Sequence, residues 1–303
     1  MKLKIFLSFF IVVSSMISKA ETIWYPLPPE AYSFGREYPE AEKLLYAFDY
    51  GHALVYERLL VNRGKISDPE KFEKELLKDI FVILKNPPEI KNDEADIAPN
   101  YVYQFPLLIN LFDWSHLLHQ FVFDALVTTP DRGPLLKKRV YELFNQYKAN
   151  KALAITEQCK TMIFMDGHYF SKAFRQTYPN FNLLIWSYHW FQIKLYEALM
   201  AETKMERDAN VNQAIADFWE LVSDLPDSAD FDMMPEVRQV APTFAKMFPM
   251  LGGAFDNNHM LHDIVSDILV SDKVPYEKIK GEGIRMGRLD LDPEAYKSNN
   301  CGL

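Results

Sequence analysis

Apolar residues recur at spacings of three and four along most of this chain, the period of a helix with a buried face, and no stretch alternates in the manner of a strand. The pattern predicts long apolar helices over residues 39–60, 106–127, 179–202 and 249–270. It predicts more polar helices over 68–85, 135–150, 152–176 and 208–224. The second of the eight in chain order starts at Asp68-Pro69, an N-cap acid followed by proline at the first helical position. Residues 89–104 read as a polar loop and residues 225–247 as a long connection. The class expected is all-α.

Two of the long helices are versions of one another. Residues 105–127, FPLLINLFDWSHLLHQFVFDALV, match residues 248–270, FPMLGGAFDNNHMLHDIVSDILV, at 12 of 23 positions with an offset of 143. The other two match at an offset of 140, including Tyr56-Glu57-x-Leu59 against Tyr196-Glu197-x-Leu199. An aromatic-Pro pair opens all four: Tyr38-Pro39, Phe105-Pro106, Tyr178-Pro179 and Phe248-Pro249. Both offsets point to an ancestral unit of two long helices copied once. The architecture predicted is therefore a multi-helix bundle with internal duplication, two similar halves about a pseudo-twofold axis. Residues 39–150 form the first half, 151–271 the second and 272–303 an irregular tail. The paired Gly252-Gly253, where the other copy has Ile109-Asn110, would permit close packing or a kink.

The repeated helices carry chemistry on one face. Residues three apart on a helix lie one turn apart on the same side. Asp113, His116 and His119 form such a stripe, and Asp256, His259 and His262 repeat it. Asp49 and His52 are a shorter version, and His189 stands ten residues after its proline, as His116 and His259 do after theirs. Six of the seven histidines are thus at related places on four helices, with His168 in a connecting segment. Bundles build metal sites from facing helices in this way. The expected ligands are His116, His119, His259, His262, His52, His189, Asp113 and Asp256, with one residue of each stripe accepting an imidazole N–H instead of binding. Such nitrogen and oxygen donors suit one or two ions of Fe, Zn or Cu. Glu57 and Glu197, each following a tyrosine in an apolar stretch, are the candidates for a buried general base.

Composition narrows the setting. Residues 1–20 read as an export signal, with Lys2 and Lys4, an apolar run and Ser18-Lys19-Ala20 at a cleavage site. Its apolar run is short for a bilayer span, and an uncleaved N-terminal anchor is the alternative. Residues 21–38, rich in proline and aromatics, read as an extended arm. The expected location is the periplasm or outside the cell, with no stable membrane insertion once the signal is gone. A net charge of −9 and no basic run exclude nucleic acid as a natural partner. A partner would be a small-molecule substrate or none. Cys159 and Cys301 could form one disulfide in an oxidising compartment.

These features describe an exported helical metalloprotein with a His/carboxylate-lined site in its core, most naturally a non-haem oxidoreductase if it is an enzyme. Two alternatives use the same residues. One is a non-catalytic binding or interaction protein with structural histidines. The other is an electron carrier with non-covalently bound haem between opposed histidines, since no C-x-x-C-H is present.

Overall fold

The computed structural model describes residues 28–158, 160, 162–223 and 234–296. Among them there are fifteen α-helices and no strand. The first seven are α1 (Ser33–Glu37), α2 (Pro39–Val61), α3 (Pro69–Lys85), α4 (Glu94–Ile97), α5 (Pro99–Gln104), α6 (Pro106–Thr128) and α7 (Pro134–Ala149). A short α8 (Met162–Asp166) follows. The remainder are α9 (Ala173–Thr177), α10 (Pro179–Leu199), α11 (Lys204–Ser223), α12 (Val237–Val240), α13 (Pro242–Met247), α14 (Pro249–Val270) and α15 (Ile279–Leu291). The order repeats. Helices α4, α5 and α6 begin at 94, 99 and 106, and α12, α13 and α14 at 237, 242 and 249, each 143 residues later. Helices α1 and α2 have the same relation to α9 and α10 at 140 residues.

Proline makes the corners. The ring of a proline keeps the residue before it out of the right-handed helical region, so one helix stops and the next starts at its first position. Tyr38, Phe105, Tyr178 and Phe248 all take this role with φ between −132° and −128° and ψ between 49° and 69°. Ala98 and Ala241 do the same before Pro99 and Pro242. The four corner aromatics are buried, which anchors each bend in the core.

At several corners the exposed amides of the new helix are closed by an acid from a long helix. Glu57 accepts from the Tyr101 amide at 3.0 Å and from the Asn100 side chain at 2.6 Å, at the start of α5. Glu197 accepts from the Thr243 and Phe244 amides at the start of α13. Asp124 takes the Phe34 amide of α1, and Asp267 takes the Lys172 and Phe174 amides of α9. These bonds satisfy donors that a helix end leaves without an internal partner.

Helices α2 and α6 each pack against both α10 and α14, so the four long helices share one core. Helix α3 covers α2, α11 covers α10, α7 covers α6, and α15 lies over α6 and α14. No helix among the described residues is long and apolar enough to cross a membrane.

Several expectations need correcting. The loop 89–104 contains α4 and α5, and the connection 225–247 contains α12 and α13, because proline divides each into pieces too short for a periodic signal. The stretch 152–176 is broken, with only α8 and the start of α9 helical. Residues 33–37 of the expected extended arm are helical. The expected irregular tail contains α15, which Gly281, Gly283 and Gly287 conceal in the sequence. Two of these glycines are there for contact: a Cβ on Gly283 would lie 2.6 Å from the Phe105 ring, and one on Gly287 3.0 Å from Leu108. The proposed signal at 1–20, Cys159 and Cys301 lie outside the described residues.

Gly253 also has a contact role. A Cβ there would stand 2.5 Å from the Glu157 carbonyl oxygen, whereas Gly252 has ordinary clearance. Backbone cannot swing aside as a side chain can. Gly253→Ala is therefore expected to lower stability by about 1–3 kcal/mol, read as a shift in urea midpoint at constant slope.

Candidate metal centre

All six helix-borne histidines are buried and meet where α2, α6, α10 and α14 cross. Counting from the proline that opens each helix explains why. The tenth residue is Asp49, His116, His189 or His259, and the thirteenth is His52, His119, Gln192 or His262. With identical corners, the same count delivers each side chain to the same depth. Eight equivalent places therefore hold six imidazoles, one carboxylate and one amide.

Three imidazoles form the tightest group. His52, His189 and His262 each offer a ring nitrogen, and these nitrogens all lie within 4.8 Å of one another. The residues are 6 %, 1 % and 3 % exposed. Neither ring nitrogen of any of the three has a hydrogen-bond partner. Their rings are held by stacking: His262 lies on Phe112 with centroids 3.8 Å apart, and His52 lies 4.4 Å from Phe48.

Of the other three imidazoles, His119 and His259 are hydrogen-bonded to protein groups, whereas His116 Nδ1 is not. His119 Nδ1 is hydrogen-bonded to the Tyr196 hydroxyl, and its ring stacks on Phe255 at 3.8 Å, as His262 does on Phe112. His259 Nε2 is 3.0 Å from Gln192 Oε1. His116 Nδ1 lies 3.7 Å from Asp49. Burial holds every one of the six below the ordinary histidine range, reinforced at all but His116 by the neighbouring imidazoles. His52 and His259 are pushed down to about 3. The cluster is neutral at pH 7, and a neutral imidazole has the lone pair that a metal needs.

Beside the imidazoles is a pocket of acids around one lysine. Lys91 Nζ lies 3.3 Å from Asp49, 3.6 Å from Glu94 and 3.6 Å from Asp113. Burial raises all three carboxyl groups against the pull of Lys91, Asp113 to about 8. A cavity of about 30 Å³ separates this pocket from the imidazoles, lined by Asp49, His52, Glu94, Asp113, His116 and His262 among others.

Of the residues expected as ligands, His52, His189 and His262 converge, and His116, His119 and His259 surround them. Asp113 belongs to the lysine pocket. Asp256 does not face the cluster's donors but accepts from the Val237 amide at the start of α12. Glu57 and Glu197, the candidate bases, close helix ends: both Glu57 oxygens accept, from the Tyr101 amide and the Asn100 side chain, and Glu197 Oε2 accepts from the Thr243 and Phe244 amides. Lys91, Glu94, Gln192 and Tyr196 were not anticipated as members. Gln192 could have been found by counting thirteen residues from Pro179, whereas Lys91 sits in a segment with no periodic signal.

No protein-family description, curated protein or solved structure matches this chain. The molecule is an all-α protein with a buried three-histidine cluster.

Proposed function

We propose that this chain is an exported metalloprotein that binds one first-row transition ion through His52, His189 and His262. One observation carries the reading: three imidazoles from three helices meet with all six ring nitrogens unpartnered. Buried polar groups are nearly always satisfied, and one imidazole left without partners costs roughly 1–3 kcal/mol. Three together are costly as packing and well suited as a ligand set. Three protein nitrogens are a common complement for a metal that keeps a further position for another ligand.

Imidazole donors without thiolate favour Zn, Cu or Fe, and Cu or Fe would make the protein an oxidoreductase acting on a small molecule. A bare ion is favoured over haem. The cavity beside the cluster is about 30 Å³, whereas organic cofactors occupy pockets of roughly 300 Å³ or more. The acidic charge and the N-terminal signal support export and argue against a nucleic-acid partner. Copying of one two-helix unit accounts for both the repeated element order and the matched histidines.

The test is elemental analysis of protein made without a histidine tag and loaded with Zn, Cu or Fe. The expected result is close to one ion per chain retained through desalting. Retention of none would leave the histidines as structural and remove the proposal.

A further inference from the structure

The cavity between the three histidines and the lysine pocket has a use that the histidines alone do not explain. Its walls are polar on two sides. His52 and His262 form one, and Asp49, Glu94, Asp113 and His116 the other. Three atoms on the second side have no hydrogen-bond partner: Glu94 Oε2, Asp113 Oδ2 and His116 Nδ1. Each belongs to a residue at least nine-tenths buried. Ala53, Ile109 and Phe112 supply an apolar part, and Tyr56 and Tyr101 complete the wall, the Tyr101 hydroxyl also without a partner. A polar space above about 10–15 Å³ with two or more partners is large enough for a water molecule. At roughly 10–15 Å³ for each water-sized atom, this cavity of about 30 Å³ has room for two or three heavy atoms, a linear azide included, and little more.

We propose that this cavity is the ligand chamber of the metal: it brings a water-sized oxygen ligand, such as water, hydroxide or dioxygen, to an ion held by His52, His189 and His262, and holds it from the far side through Asp113, Glu94 and His116. The proposal rests on the metal reading above. It assigns the carboxylate pocket a binding role, with Lys91 supplying the countercharge that keeps three acids together. It also sets the size of what can reach the ion. Any larger substrate would have to react from outside the chamber.

The test uses the full mature chain loaded with Co(II), whose visible spectrum reports both binding and coordination, with azide as the probe. The wild type is expected to take up one cobalt and to change its spectrum saturably on azide addition. Ala53→Leu fills the chamber without touching a ligand. It should keep its cobalt and lose azide affinity at least tenfold. If Ala53→Leu does not fold, Ile109→Ala enlarges the chamber instead and should speed azide entry.

A cobalt-loaded wild type that ignores azide overturns the chamber and leaves the metal site standing. So does an azide response unchanged in the filled or enlarged variant. Failure to bind cobalt at all removes the metal reading, and the chamber with it, and is seen as the absence of a cobalt spectrum.

Discussion

Replacing His189 by leucine is expected to abolish metal binding and, at the same time, to stabilise the metal-free chain. His189 is 1 % exposed, and neither of its ring nitrogens has a partner. An imidazole in that position has lost its water and gained no hydrogen bond in return, a cost of roughly 1–3 kcal/mol. Leucine is of similar bulk and carries no polar atom to desolvate. The rings next to His189 are Phe48 at 5.5 Å and the imidazoles of His259, His52 and His262 at 4.3, 5.5 and 5.5 Å, none of them hydrogen-bonded to it. The metal-free variant should therefore gain about 1–2 kcal/mol in urea unfolding. The wild type should overtake it only when the ion is present: a thousandfold excess over the dissociation constant raises the wild type by about 4 kcal/mol, which puts it about 2–3 kcal/mol ahead of the variant. Paired urea titrations with ion and with chelator measure both effects. A metal-free variant several kcal/mol less stable than the wild type would mean that His189 serves the fold, and would count against the metal site.

The second large effect is on acid stability. In the metal-free protein His52 is held down to about 3, first by burial and then by His116 and His259. In the unfolded chain its pKa returns to about 6.5. The unfolded state then takes up the proton first. The contribution of His52 is complete above pH 6.5 and is lost as the pH falls toward 3. Glu42 and Asp256, each raised to about 8 by burial, act in the opposite sense, favouring the fold at low pH and losing that contribution as the pH rises. The histidine part is isolated by comparing wild type with His52→Leu. From pH 6.5 to pH 4 the variant should gain about 3 kcal/mol relative to the wild type. Parallel pH profiles for the two proteins would mean that His52 is already satisfied in the fold.

Much of the site could be read before the fold was known, because its parts are fixed by a count along each helix. The aromatic-Pro pairs mark the corners, and the corners set the depth at which the tenth and thirteenth residues arrive. Local pattern could not assign the acids. Glu57 and Glu197 look like buried bases in an apolar stretch, yet the partners they hold are 43 and 46 residues away in α5 and α13. Asp113 and Asp256 each stand seven residues after the proline that opens their helix and have separate fates. One joins Lys91, and the other closes α12. The tail helix α15 was hidden by glycines that exist for its contact with Phe105 and Leu108 and contribute nothing to helical propensity.

The acids that close the short helices also bear on how the molecule comes together. Helices of five or six residues do not persist alone in water, and α1, α5, α9 and α13 borrow closure from the long helices α6, α2, α14 and α10 respectively. Helices α2 and α6 each pack against α10 and α14, so the short helices are closed by the same four helices that carry the imidazoles. The imidazoles of His52, His189 and His262 come from α2, α10 and α14 and meet only when those three helices pack together. Colour from a bound cobalt ion would therefore report the packing of long helices on one another, and not the formation of helix.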